Sequence, residues 1–69
     1  MLKTKIRELR EKSKITQEEL AISVGVTRQT ITSIEGEKYT ASLVLAYKIS
    51  KYFGMTIEEV FDFSEVEEI

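Results

Sequence analysis

A chain of 69 residues, with ten Lys and Arg against twelve Asp and Glu, carries a formal charge of −2 and suits one small domain over residues 1–69. The absence of Cys and His closes the disulfide and usual metal routes to stabilising so small a core, leaving helix packing and self-association. No apolar run reaches the length of a membrane span, and the basic N-terminus lacks a following apolar segment and cleavage site, so a cytoplasmic protein is expected.

The charge is unevenly spread. Residues 1–14 hold six basic and two acidic side chains, for +4, whereas residues 39–69 hold two lysines and six acids, for −4. A positive end can meet phosphate while a negative end faces away, with a modest footprint and a shallow salt dependence.

A first helix is predicted from about Lys3 to Ser13, with Leu2, Ile6 and Leu9 on its buried stripe and most of its lysines simply solvated. Arg10 stands apart because Glu35 is the acid available to it on a later, otherwise weakly charged helix. Thr16 followed by Glu19 is a capping-box start for a second helix, in which Leu20, Ala21 and Val24 recur at helical spacing until Gly25 interrupts them. Gln17, in its first turn, can present an amide to phosphate beside the positive helix end, or can be no more than a good helix former.

Thr27 is a plausible N-cap for a third helix, with Ile31 and Ile34 inward and Gly36 as its stop. At 100° per residue, Thr30, Ile31 and Ile34 fall within roughly 50° of Thr27, whereas Arg28, Gln29, Thr32 and Ser33 fall on the opposite side. Arg can bond guanine O6 and N7 together, Gln can do the same to adenine N6 and N7, and Thr and Ser take either base or phosphate partners. Two short helices joined by a glycine turn, the second with short polar groups outward and no ladder of Glu and Lys, form a helix-turn-helix pattern. In the loop that follows, Lys38 and Tyr39 are candidate phosphate contacts, with ordinary loop polarity as the alternative.

Ser42 caps a fourth helix carrying Leu43, Leu45, Ala46, Ile49 and Phe53 as core, ended by Gly54. Thr56 and Glu59 form a second capping box for a fifth helix with Ile57, Val60 and Phe61 apolar. Glu58, Glu59 and Asp62 read as first-turn and surface carboxylates rather than acid/base groups, since neither His, Cys nor a Gly-rich phosphate loop accompanies them. The fold class is therefore all-α, with a core over about 3–61. The tail, residues 62–69, could be a frayed end, a short strand or an extension that pairs with another subunit.

Ile6 to Arg10 (IRELR), Thr16 to Ala21 (TQEELA), Val24 to Ile31 (VGVTRQTI), Ile34 to Gly36 (IEG), Lys38-Tyr39, Ser42 to Ala46 (SLVLA) and Ile57 to Phe61 (IEEVF) together resemble the phage repressor and Cro-like helix-turn-helix regulators, the XRE family. The resemblance implies a five-helix lambda-repressor-like domain whose third helix lies in the major groove of double-stranded DNA. By matching position, Arg28, Gln29, Thr32 and Ser33 read bases, Gln17, Thr27, Lys38 and Tyr39 hold phosphates, and Arg10 and Glu35 form an ion pair that ties the first helix to the reading helix. Ala41 stands where similar proteins often have Pro, which implies a less rigid loop. The expectation is a repressor acting as a homodimer on a two-fold operator, without enzymatic activity, cofactor or small-molecule ligand. The apolar residues Phe61, Phe63, Val66 and Ile69 are expected to build the dimer interface. Two other readings are an antitoxin whose acidic tail covers a basic toxin, and a protein-interaction module of this fold that does not bind DNA.

Overall fold

The computed structural model describes residues 2–66. Its elements run β1 (Lys3–Thr4), α1 (Ile6–Lys12), α2 (Gln17–Val24), α3 (Arg28–Glu35), α4 (Leu43–Tyr52), α5 (Ile57–Val60), β2 (Phe61–Asp62) and a 3-10 turn at Ser64–Val66. Four of the helices begin on a hydroxyl residue, Thr16, Thr27, Ser42 or Thr56, whose side-chain oxygen accepts from the backbone N–H three residues on. At Thr16 and Thr56 the Glu three residues later returns a bond to the cap's own N–H, each at 2.8 Å. These caps satisfy donors that a helix start otherwise leaves without partners.

α1 has no such cap, and it starts at Ile6 rather than near Lys3. The residues before it are drawn into an antiparallel pair, Lys3 opposite Asp62 and Thr4 opposite Phe61, continued by Lys5 N–H donating to Val60 C=O at 2.8 Å. Among the described residues the fold is the expected five α-helices, with one small two-stranded ribbon added to them. Its cause is a partner far away in sequence, which offers the backbone of residues 3 and 4 a ladder in place of a helical turn. The Asp62 carboxylate accepts from Ser64 N–H at 2.9 Å, a bond that holds its pKa below the ordinary value. Whatever stability this lends is present above the ordinary aspartate pKa and is lost as pH falls through the lowered one.

Ile6, Leu20, Ala21, Ile31, Ile34, Ile49, Val60 and Phe61 make the centre of the core, with Val24, Leu45 and Ala46 around them. Phe61 was expected at an intermolecular surface, yet it is 1% exposed in the single chain. β2 folds back onto β1 and carries the ring inward, so Phe61 fills this chain's own interior. Phe63 is half-buried against the core, Val66 is exposed, and Ile69 lies outside the described residues. On α4 the correction runs the other way: Leu43, counted with the core in sequence, is exposed, while Ser50 is buried and donates its hydroxyl to Ala46 C=O at 2.8 Å. That bond to the carbonyl four residues back is what lets a polar group sit in the core.

Two helix ends use a left-handed residue that is not glycine: Lys14 at φ 58° after α1 and Glu37 at φ 60° after α3. Gly36, expected to supply this conformation, has an ordinary φ of −80°, and the chain turns one residue later. Lys38 N–H then closes the helix by donating to Ser33 C=O at 2.9 Å, and Ile15 N–H does the same to Arg10 C=O at 3.0 Å. Left-handed backbone costs an L side chain more than glycine, partly offset by glycine's larger entropy when unfolded, so Lys14→Gly and Glu37→Gly are each expected to raise stability by about 0.5–1 kcal/mol. The check is the melting temperature of each variant. A fall at either position would mean that its side chain contributes more than its backbone costs.

Candidate nucleic-acid interface

The turn between α2 and α3 rests on Gly25, whose φ of 78° an L side chain rarely adopts, and on Val26 N–H donating to Ala21 C=O at 3.0 Å. α3 then sinks Ile31 and Ile34 into the core at a spacing of three, which turns Arg28, Gln29 and Thr32 to solvent and leaves Ser33 half-buried. The cap residue Thr27 is also exposed, its hydroxyl 3.1 Å from that of Thr30.

Glu35, the last residue of α3, ties the helix to the rest of the fold. Its side chain is 1% exposed, and Arg10 grips it with two bonds, Nε to Oε2 at 2.8 Å and Nη2 to Oε1 at 3.3 Å. Arg10 is itself only 13% exposed and spends Nη1 on Ile15 C=O at 3.1 Å. The fork geometry suits a carboxylate, and the bond to Glu35 holds the Arg10 pKa above its ordinary value against the opposing effect of burial. Arg7, exposed, approaches the same carboxylate at 3.7 Å.

Gln17 extends this cluster to the reading row. Its Nε2 donates to Glu35 Oε1 at 3.1 Å, and its Oε1 accepts from Arg28 Nε at 3.4 Å and lies 3.3 Å from Thr32 Oγ1. The amide expected to face a phosphate by itself is therefore turned inward, between the buried carboxylate and two residues of α3. Arg10, Glu35, Gln17 and Arg28 form a continuous chain of polar contacts from the interior to the surface. Arg28 enters this chain through Nε alone, and its side chain is otherwise exposed.

Shallow clefts flank α3 on either side. Thr27, Gln29, Thr30, Ser33 and Tyr39 line one of them, so Tyr39 is brought beside the outward row although it belongs to the next loop. Lys38, also exposed, borders neither cleft. Arg28 and Gln17 line the other, together with Arg7, Arg10 and Lys14, and with Glu11 and Glu18 at its acidic rim. Neither Arg7 nor Lys14 was singled out in the sequence, where most of the lysines of this segment read as solvated charges. Their local spacing carries no other message, and only the positive excess of residues 1–14 hinted at a shared role. Among the described residues no acidic cluster could hold a metal ion, and no helix is long and apolar enough to cross a membrane.

Comparison with known proteins shows the family and the fold. The helix-turn-helix family HTH_3 matches residues 6–60. An uncharacterized HTH-type transcriptional regulator of Archaeoglobus fulgidus is 52% identical over 66 residues, covering 96% of this chain and 93% of its own length. The cryptic phage CTXphi transcriptional repressor RstR of Vibrio cholerae is 34% identical over 65 residues, or 94% of this chain and 59% of its own. Among solved structures, the restriction-modification controller protein C.AhdI from Aeromonas hydrophila matches with a TM-score of 0.74 at 29% identity, over 80% of this chain and 83% of that one.

Proposed function

The chain belongs to the helix-turn-helix, XRE-type family of transcriptional regulators, and from that premise we propose that it is a sequence-specific DNA-binding repressor acting as a homodimer on a two-fold operator in the cytoplasm. The family is one of DNA-binding regulators and not of enzymes. The observation that carries the proposal is the outward row Arg28, Gln29, Thr32 and Ser33 on a helix whose far end is fixed by a buried carboxylate. A helix that must read base edges has to be held rigidly, because each bidentate contact depends on distance and angle.

In this reading Arg28 and Gln29 bond base edges in pairs, with Thr32 and Ser33 making single contacts beside them. Thr27, Lys38 and Tyr39 hold the phosphates that flank the groove, and Gln17 both orients Arg28 and keeps one amide hydrogen for a phosphate. Repression is supported by the similarity to RstR. Two copies on successive major grooves place their reading helices about 34–36 Å apart, which asks for an inverted repeat with half-site centres roughly 10 base pairs apart.

The test is base-specific. Gln29→Ala is expected to cost about 1–3 kcal/mol of binding at the preferred site and to relax preference at one base position, while binding to random DNA changes little. Selection of bound sequences from a random pool, followed by titration of the variant on the selected site and on scrambled DNA, gives both numbers. Equal losses on the two DNAs would remove Gln29 from the reading row.

A further inference from the structure

Residues 39–69 hold six acids and two lysines, and both lysines line one cleft between α4 and the end of α2. α4 sends Leu45, Ala46 and Ile49 inward, which leaves Tyr47, Lys48, Lys51 and Tyr52 together on its outward side, neighbours at spacings of three and four. Ile22 of α2, 71% exposed, stands across from them beside the turn at Gly25. Tyr52 is set edge-on to the half-buried Phe53, with ring centres 5.2 Å apart at 90°, and the Lys51 ammonium lies 6.0 Å from the centre of the Tyr47 ring. Neither lysine has an ion-pair partner among the described residues, and no carboxylate lines this cleft. On the other side of Tyr47 and Lys51 the surface changes sign. The cleft there is walled by Glu58 and Glu59 at the start of α5.

We propose that the α2-side cleft is a docking site for an acidic peptide segment of another protein, its carboxylates on Lys48 and Lys51 and an apolar side chain among Tyr47, Tyr52 and Ile22. Charge complementarity selects this occupant. An extended segment puts every second side chain on one face, about 7 Å apart, so two acids and one apolar residue in alternation reach both ammonium groups and the space beside the rings. A wholly apolar partner would strip water from two unpaired charges and return nothing to them. A polynucleotide is a poor match as well, because its charge is continuous and the carboxylates of the same half of the chain, Glu58 and Glu59 nearest, repel it where the lysines end. The α2-side cleft shares no residue with the two clefts that flank α3, so the partner and DNA use separate surfaces. Docking here goes beyond the DNA-binding function and does not depend on it.

Selection from a random peptide library, with the full chain as bait, is expected to enrich segments in which Asp or Glu alternates with an aromatic residue or Leu. A selected peptide is then labelled and titrated by fluorescence anisotropy. Lys48→Glu and Lys51→Glu should each weaken its binding by about tenfold or more, because each reversal sets like charges together, while Lys51→Arg should stay within about threefold of the parent. Glu58→Lys, on the far side of Tyr47 and Lys51, should not weaken it. The substituted side chains are all exposed, so circular dichroism should show the helical content unchanged. A library that enriches nothing, enriched peptides without an excess of acid, or peptides that both reversals bind as tightly as the parent does, overturns the proposal. Displacement of the peptide by single-stranded DNA would make the cleft a nucleic-acid surface, and an affinity that falls as the chain is concentrated would put a second copy there. Either result overturns the proposal too.

Discussion

Arg10→Met is expected to cost about 3–5 kcal/mol of folding stability, nearer the lower figure, because it leaves a buried carboxylate without its principal partner. The Glu35 side chain is 1% exposed, too little for water to replace the two bonds it receives from Arg10. Gln17 at 3.1 Å and Arg7 at 3.7 Å remain as partial compensation, which sets the direction of the bias. Glu35→Leu leaves a different orphan, Arg10, which at 13% exposure keeps Ile15 C=O and some solvent. In the double variant both charges are gone and no orphan remains, so its loss should be well below the sum of the two single losses. Denaturant unfolding of the three variants measures this coupling. Strict additivity would mean that the two charges do not act together. The pKa of Arg10 is raised, so the stability it contributes is full below its ordinary value and is lost only as pH rises through the raised one; across neutral pH the contribution of Arg10 should be flat. The same variants should weaken specific more than non-specific DNA binding, because Gln17 and Arg28 are positioned through Glu35.

Phe61→Ala is expected to cost about 3–5 kcal/mol, by removing a large ring from a site too well packed to collapse completely. The ring is 1% exposed, and it sits where α5 gives way to β2, so its loss loosens the core and the ribbon to β1 together. In a domain whose whole stability is of the order of 5–15 kcal/mol this is a large fraction. Val66→Ala, on an exposed side chain, should stay within about 0.5 kcal/mol. Urea unfolding at a fixed low protein concentration separates core from interface: a Phe61→Ala loss under about 1 kcal/mol, below the usual range for emptying a buried aromatic site, would return Phe61 to the surface.

How much of this could be seen in advance depends on how local its cause is. Thr16 with Glu19 and Thr56 with Glu59 are four-residue signals, and both boxes form as read. Ile31 and Ile34 fix the face of α3 by their spacing, so the outward direction of Arg28, Gln29 and Thr32 followed from periodicity. What the spacing could not show is that Gln17 turns inward to join Glu35 to Arg28, or that Tyr39 comes to rest beside Gln29 and Ser33. Those depend on where one helix lies against another. Leu43 and Phe61 are instructive as a pair. Both are large apolar residues next to a helix end, where the helical period no longer says which way a side chain points: Leu43 left the core its period assigned it to, and Phe61, counted both with the apolar face of the fifth helix and with the dimer surface, went to the core.

The amino-acid sequence by itself determined the five helices, the starts of the four that begin on a hydroxyl cap, and which residues of α3 face outward, because caps and apolar periodicity act among residues three and four apart and need no distant partner. Only the tertiary structure decided that Lys3 and Thr4 leave the helix for a strand with Phe61 and Asp62, since a backbone ladder is stabilised by whatever lies across it. It alone decided that the turn after α3 falls on Glu37 rather than Gly36, because closing the bond from Lys38 to Ser33 fixes which residue must go left-handed. The burial of Glu35 was likewise beyond the reach of spacing. A carboxylate stays in the interior only where an arginine and an amide from two other helices converge on it, and convergence is a property of packing.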